Sequence, residues 1–114
     1  MQSTSSPPLP GFVVLYRWRL HPGLEDGFVQ AWSRISELLR ARGSLGSRLH
    51  RGADGIWYSY AQWPDAATRD AVFALGSPDA SASARMRGAI AESLPEIVLE
   101  PVADYLVASP QGEA

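Results

Sequence analysis

One stretch near the start of the chain limits what this sequence can fold into. Phe12–Leu20 (FVVLYRWRL) is rich in β-branched and aromatic side chains, which favour a strand. Alternation along a strand places on one face Phe12, Val14, Tyr16, Trp18 and Leu20, and on the other Val13, Leu15, Arg17 and Arg19. Bulky apolar residues therefore occur on both faces of this predicted strand.

The rest of the chain alternates between helix and strand signals. His21-Pro22-Gly23 ends the first strand, and apolar residues then recur at helical spacing from Leu24 to Arg42, followed by Gly43 as a terminating residue. The further predicted elements are, in order, a strand at Ser44–Arg51, a hairpin turn at Gly52–Gly55, a strand at Ile56–Trp63, a helix from Pro64-Asp65 to about Leu75, a helix with Ser77 as N-cap and Pro78 as first residue running to about Ser93, and a strand at Glu96–Val107 interrupted near Pro101.

This order is β-α-β-β-α-β with an extra helix in the second crossover. It predicts an α+β, ferredoxin-like fold whose antiparallel sheet carries its helices on one face. Both faces of the third strand carry two aromatics, with Tyr58 and Tyr60 opposite Trp57 and Trp63. We therefore expect a second copy to cover the free face in a homodimer, a dimeric α+β barrel; a monomer with an exposed apolar face is the alternative. The domain is expected at residues 11–108, between loose tails at 1–10 and 109–114.

Composition excludes several classes of function. The chain has no Cys, which excludes disulfides, thiolate metal sites and cysteine nucleophiles, and no Lys, which excludes Schiff-base catalysis. His21 and His50 are isolated, so no metal site is expected. A net charge of -2 with scattered arginines argues against nucleic acid. No apolar run approaches the ~20 residues of a membrane span, and no signal peptide is recognisable at the N-terminus, so a cytoplasmic location is expected.

The aromatic side chains are the most informative candidates for a site. An apolar pocket between helices and sheet could stack a flat aromatic ligand, and the predicted substrate-binding residues are Trp18, Phe28, Trp32, Trp57, Tyr60, Trp63 and Phe73. The predicted catalytic residues are Arg48, which could stabilise a phenolate, His50, which could move a proton, and Tyr58. The alternative for the aromatics is core and dimer interface, and for Arg48 and His50 an ordinary surface position.

Four pieces of sequence together resemble the antibiotic biosynthesis monooxygenase superfamily of dimeric α+β barrels. They are a first strand ending in His21-Pro22-Gly23, a helix beginning LEDGFVQAW at Leu24, the strand GSLGSRLH ending at His50, and WYSYAQWPDA, whose Trp63 matches a Trp that members commonly place at the end of that strand. The resemblance implies a homodimer with one pocket per subunit. Some members oxidise phenolic or quinol-like polycyclic substrates with molecular oxygen and without metal, flavin or haem, while others degrade haem.

The chain departs from that family in two respects. The best-known members use an Asn in the pocket, and this chain has none; the haem-degrading branch ligates iron through a His on the second helical segment, and no His follows His50. Haem degradation is therefore not expected. Three functions stay open: a cofactor-independent monooxygenase-like enzyme acting on a small or polycyclic aromatic, a non-catalytic ligand-binding or stress-associated barrel, and a cyclase or isomerase. A pocket lined only by apolar groups, with Arg48 and His50 facing solvent, would favour the second.

Overall fold

The computed structural model describes residues 10–107. Its elements are β1 (Phe12–Leu20), α1 (Glu25–Ala41), β2 (Ser47–Arg51), β3 (Trp57–Trp63), α2 (Ala66–Ala74), α3 (Ala80–Ala89) and β4 (Ile90–Leu99). The four strands form one antiparallel sheet in the order β2-β3-β1-β4, the predicted ferredoxin-like α+β fold. The predicted C-terminal tail and all but Pro10 of the N-terminal tail lie outside the described residues. Within residues 10–107 no helix has the length and apolar character needed to cross a membrane.

Aspartate side chains begin the two shorter helices. Asp65 accepts a hydrogen bond from the Thr68 amide at 2.7 Å and caps α2, and Asp79 accepts one from the Ala82 amide at 3.0 Å and caps α3. The prediction of Ser77 as the cap of α3, with Pro78 as its first residue, was therefore wrong by two residues. The helix also ends earlier than predicted, because the chain turns directly into β4 after Ala89.

The second strand is shorter than predicted. It begins at Ser47 rather than at Ser44, because Gly46 adopts a positive φ of 113° that interrupts the extended backbone. Pairing with β3 nevertheless continues before the strand, where Leu45 donates its amide to the Gln62 carbonyl at 2.9 Å. The hairpin after Arg51 forms as predicted.

The prediction of a last strand at Glu96–Val107 was wrong in its bounds. β4 runs from Ile90 to Leu99, and Leu99 pairs with Val13, one residue from the beginning of β1. Beyond Leu99 the neighbouring strand therefore offers almost no backbone with which to pair. The pairing of β1 with β4 has two register shifts, and both lie earlier than the interruption expected at Pro101. One of them falls at Pro95, whose carbonyl accepts two hydrogen bonds, of 2.8 and 3.2 Å, from the Arg17 guanidinium.

The two faces of the sheet differ in cover. Cross-strand partners share a face, so Trp18 and Trp57, which pair, lie together, and the Phe28 ring of α1 packs at 5.3 and 6.2 Å from them. This is the helix-facing side, and its core includes the fully buried Phe28, Val14 and Trp63. The opposite side, here called the open face, carries alternate residues of the same strands, and within residues 10–107 none of the helices α1, α2 and α3 packs on it.

Candidate functional site

Most predicted substrate-binding residues lie on the helix-facing side. Trp18, Phe28 and Trp57 form one edge-to-face cluster. At the other end of the sheet the Trp63 ring packs edge-on against Phe73 of α2, with centroids 5.9 Å apart. The exception among the predicted residues is Tyr60, which pairs with Leu15 and Arg48 and therefore lies on the open face.

The predicted catalytic residues lie on the open face. Arg48 pairs across the strands with Tyr60, and His50 pairs with Tyr58. Arg48 Nε donates to His50 Nε2 at 3.2 Å, and both side chains are exposed. The sheet therefore stands between these charged groups and the aromatic cluster under the helices.

Tyr58 is held by a contact within the β2–β3 hairpin. Its hydroxyl donates to Asp54 Oδ2 at 2.7 Å, which raises the pKa of Tyr58. The pKa of Asp54 is lowered, first by the amide of Ile56 and then by the Tyr58 hydroxyl. This pair gives the hairpin turn a local anchor on the third strand.

Apart from Tyr60, which pairs with Arg48 on the open face, the two sets of predicted residues meet at the outer edge of β2. An open groove of about 500 Å³ runs along this edge, between the strand and α1. Its lining includes the predicted residues Trp32, Arg48, His50 and Trp57. We call it the β2 groove; it has an apolar floor and a basic rim.

A second group of polar residues, absent from the sequence predictions, lies under α2. Arg69 Nη1 donates to the Tyr16 hydroxyl at 3.0 Å and lies 3.5 Å from Glu96 Oε2. The guanidinium carbon is 5.1 Å from the Phe12 ring centre and 5.3 Å from that of Phe73. Although it is charged, the Arg69 side chain is only 14% exposed.

Burial and hydrogen bonding shift the pKa values of Tyr16 and Arg69 in opposite directions. Burial raises the pKa of Tyr16, and the bond and charge of Arg69 offset part of that rise. For Arg69 burial lowers the pKa, but the bonds to Asp70 and Tyr16 outweigh it and the pKa is raised overall. At neutral pH the site therefore holds a protonated phenol beside a permanent cation.

Trp63 adds an unpaired donor to the same region. Its side chain is 1% exposed, and among residues 10–107 its indole Nε1 is the buried side-chain polar atom without a hydrogen-bond partner. A buried donor left unpaired costs about 1–3 kcal/mol, so it calls for an explanation such as a bound ligand or water. Trp63 pairs with Phe12 across the strands and packs on Phe73, the two rings that flank Arg69.

We call Tyr16, Trp63, Arg69 and Phe73 the Arg69 site. It combines a cation, a protonated hydroxyl and a free N–H donor with aromatic surface. A cation and hydrogen-bond donors of this kind can stabilise negative charge on an oxygen atom. A signal for Arg69 existed in the sequence, since it shares one face of α2 with Val72 and Phe73 at helical spacing.

The described residues do not supply a metal site. Within 10–107 there is no group of three or more histidine, aspartate or glutamate side chains placed to hold an ion.

The predicted substrate-binding residue Trp32 has no free polar group for a ligand, because its indole N–H donates to Ser59 Oγ at 3.0 Å.

Comparison with solved structures shows the same fold in other proteins. SnoaB, a cofactor-independent oxygenase from Streptomyces nogalater, superposes with a TM-score of 0.66 at 16% identity over 84% of this chain and 97% of its own. A candidate antibiotic biosynthesis monooxygenase from Chloroflexus aurantiacus gives 0.67 at 17% identity over 85% and 98%. Rv0793 from Mycobacterium tuberculosis gives 0.66 at 18% identity over 83% and 98%.

These likenesses confirm the resemblance at the level of fold: the chain has the architecture of antibiotic biosynthesis monooxygenase structures. No family model matches the chain, and no curated protein matches it.

Proposed function

We propose that the protein is a cofactor-independent monooxygenase for a small or polycyclic aromatic of the phenol, quinol or anthrone type. The observation that carries the proposal is the indole N–H of Trp63, which is buried without a partner; the Trp63 ring packs on Phe73, the same ring that the Arg69 guanidinium contacts. Such a donor is satisfied when an oxygen of a bound substrate reaches it. The fold shared with a cofactor-independent oxygenase supports the same class of reaction.

Binding in this proposal uses the aromatic surface for the ring and the polar groups for its oxygen. Phe73, 48% exposed, forms a side of the site that an incoming molecule can reach. Trp63 donates to the substrate oxygen, and Arg69 favours the phenolate over the phenol. Towards the other end of the sheet, the residues Trp18, Phe28, Trp32 and Trp57 are the further aromatic surface that the sequence predicts for a larger ring system.

The chemistry needs no reductant, because the substrate supplies the electrons. Loss of a C–H proton from an anthrone-type CH2 gives an electron-rich phenolate, which transfers electrons to O2 and forms a carbon–oxygen bond. The resulting peroxide takes up that proton on its outer oxygen. Cleavage of the O–O bond with loss of the second C–H proton leaves a carbonyl on the substrate and releases one molecule of water.

Tyr16 is the proposed proton donor. Its oxygen accepts a hydrogen bond from Arg69, which leaves the hydroxyl proton available to a ligand. Arg69 and Tyr16 thus take the role that the sequence predicts for Arg48, His50 and Tyr58, because those three lie across the sheet from the buried aromatic rings.

We further propose that the working form is a cytoplasmic homodimer whose sheets meet through their open faces.

Oxygen uptake with a panel of anthrones and quinols tests the proposal. Trp63→Phe is expected to lower kcat/KM about tenfold or more, and Arg69→Gln by a similar factor, because each removes a donor from a water-poor site. Arg87→Gln is the matched control, since Arg87 is an exposed arginine on α3. Uptake that is unaffected by both site variants, or no uptake and no binding with any panel member, would contradict the proposal.

The exposed positions of Arg48 and His50 favour a second candidate, a non-catalytic ligand-binding or stress-associated barrel. In that case panel compounds bind and quench tryptophan fluorescence, but no oxygen is consumed. The third candidate, a cyclase or isomerase, gives a new product without oxygen uptake. The same panel therefore separates all three functions.

A further inference from the structure

The Glu96 carboxylate, on β4, lies next to the polar contact of the Arg69 site. Its Oε2 is 3.5 Å from Arg69 Nη1, and the same nitrogen donates to the Tyr16 hydroxyl at 3.0 Å. A phenol oxygen and a carboxylate oxygen therefore share one guanidinium nitrogen. A carboxylate accepts a proton and a phenol holds one, so this arrangement brings a base and an acid together.

The proposed reaction requires a proton acceptor at this site. It begins with the loss of a C–H proton, and Tyr16, whose pKa is raised by burial, is already protonated at neutral pH. Arg69 is a cation and the Trp63 indole is only a donor, so neither of them accepts a proton. Asp70, the more exposed of the two carboxylates on Arg69, binds Nε rather than the nitrogen that holds Tyr16. Glu96 is the neighbour of the site that can take the proton.

A β-bulge in β4 lies directly opposite Tyr16. Between the residue pairs on either side of Tyr16, β4 has two residues, Pro95 and Glu96, where β1 has one. Val98 pairs with the buried Val14, and Glu96, two residues before Val98, faces the same side. Bulges of this kind re-aim side chains and are frequent next to active sites. Here the bulge leaves the Glu96 side chain on the helix-facing side, beside Tyr16.

Arg17 holds this bulge from the open face. Its Nη2 and Nε donate to the Pro95 carbonyl at 2.8 and 3.2 Å. Two hydrogen bonds from one charged, planar group fix that carbonyl, and with it the backbone that carries Glu96. Arg17 and Arg69 therefore contact adjacent residues of the bulge from opposite sides of the sheet.

The exposure of these side chains fits a base at the entrance of the site. The Glu96 side chain is 42% exposed, so it can exchange protons with water, whereas the Arg69 side chain is largely buried. The Phe73 ring centre lies 5.3 Å from the Arg69 guanidinium carbon, so Phe73 and Glu96 adjoin the same cation. A substrate that stacks on Phe73 is therefore next to the cation that Glu96 contacts.

We propose that Glu96 is the general base of the Arg69 site and that its carboxylate takes the C–H proton of an anthrone-type CH2. This deepens the proposed function and rests on it. The electron pair of the broken C–H bond stays on the substrate, which reduces O2 and forms the carbon–oxygen bond. Tyr16 gives its hydroxyl proton to the outer oxygen of the peroxide and recovers a proton from the Glu96 carboxylic acid.

The same carboxylate serves the second half of the reaction. Glu96 takes the second C–H proton as the O–O bond breaks, and the electron pair of that C–H bond forms the carbonyl. The leaving hydroxide receives this proton from Glu96 and departs as water. Both side chains are then in their starting protonation states, and the carbon has been oxidised by one molecule of O2.

Hydrogen exchange without oxygen tests the base on its own. Anthrone is incubated anaerobically in D2O with the full-length protein, and NMR follows the replacement of its CH2 protons by deuterium. We expect the native chain to accelerate this exchange, Glu96→Gln to reduce the acceleration at least about tenfold, and Glu96→Asp to retain part of it. Glu92→Gln is the matched control, because Glu92 is also on β4 and pairs with Arg19 at 3.4 Å, but on the open face. Equal acceleration by the native chain and by Glu96→Gln would overturn the proposal.

Oxygen uptake by the same variants separates this inference from the proposed function. If both hold, the native chain consumes O2 and Glu96→Gln lowers kcat at least about tenfold, with a Tm that matches that of Glu92→Gln. Exchange that depends on Glu96 without uptake supports the base and rejects the monooxygenase. Uptake that Glu96→Gln leaves unchanged rejects the base and supports the monooxygenase. Neither exchange nor uptake with the native chain rejects both.

Thermal unfolding separates a base from a structural ion pair. A loss of exchange that accompanies a lower Tm, and that Glu96→Asp does not restore, would show that Glu96 acts through the fold and would overturn the proposal.

Discussion

The indole N–H of Trp32 donates to Oγ of Ser59 at 3.0 Å, joining the middle of α1 to the middle of β3. Ser59 is 3% exposed and is the buried polar residue among residues 10–107. The bond satisfies both groups in a place where water cannot reach them. It fixes the helix against the sheet next to the cluster of Trp18, Phe28 and Trp57.

Removing this bond should destabilise the fold. Ser59→Ala leaves the Trp32 donor unpaired, so we expect the free energy of unfolding in urea to fall by about 1–3 kcal/mol. In a double-mutant cycle with Trp32→Phe, the two changes should couple by about 1 kcal/mol. Ser47→Ala, a half-buried serine on β2, is the control. Additive effects of the two substitutions would show that the bond contributes nothing.

Substitution of glycine by alanine is expected to change the free energy of unfolding in opposite directions at Gly11 and at Gly27. A Cβ at Gly11 would overlap the Pro64 carbonyl oxygen, so Gly11→Ala should lower the free energy of unfolding by about 1–3 kcal/mol. Gly27 lies inside α1 with no atom within 4 Å of an added Cβ. Gly27→Ala should therefore raise stability by up to about 1 kcal/mol through helix propensity. Thermal unfolding compares the two, and a shift of the same sign in both would contradict the packing at Gly11.

Acid should weaken the cap of α3. The pKa of Asp79 is lowered from its ordinary value of 3.8, first by the Ala82 amide and then by Arg34, whose Nε lies 3.2 Å away. Since the folded pKa is the lower one, this stabilisation is present above about pH 4 and is lost as the pH falls through the folded value. Asp79→Asn keeps a capping oxygen but does not titrate, so its Tm should fall less between about pH 7 and pH 3.

A control variant separates the cap from its charge. Asp79→Ala removes the capping oxygen at every pH, so its Tm should be lower than that of the native chain under both conditions. If Asp79→Asn loses as much Tm in acid as the native chain does, the carboxylate is not a source of the pH dependence.

Alkaline pH is expected to destabilise the fold by ionising Tyr16. Burial raises the pKa of Tyr16 above its ordinary value of 10.0, against the lowering effect of Arg69. A group with a raised folded pKa stabilises the fold below the unfolded pKa and loses that contribution as the pH rises through the folded value. The native Tm should therefore decline above about pH 10, and Tyr16→Phe should decline less over the same range. Tyr105→Phe, at an exposed position, should follow the native curve.

The order of helices and strands along the chain, and the two faces of each strand, follow from local patterns. Alternation in Phe12–Leu20, the spacing of apolar residues in α1 and the glycine-rich turn after Arg51 each depend on neighbouring residues, so the sequence predicted the ferredoxin-like fold. The two errors in strand bounds have different causes. β4 ends at Leu99 because the distant strand β1 begins opposite it, whereas β2 begins late because the adjacent Gly46 turns the backbone.

For the candidate site, too, some features follow from the sequence and others only from the tertiary structure. The sequence by itself determined that the chain carries a tryptophan-rich, cysteine-free α+β domain, and that Arg48 and His50 share one face of β2, since period-two alternation needs no tertiary information. Only the tertiary structure decided that this face lies opposite the buried aromatics and that Arg69 reaches Tyr16, 53 residues away, through the packing of α2 on β1. Contacts between distant residues depend on how the elements pack, and local propensity does not encode that packing.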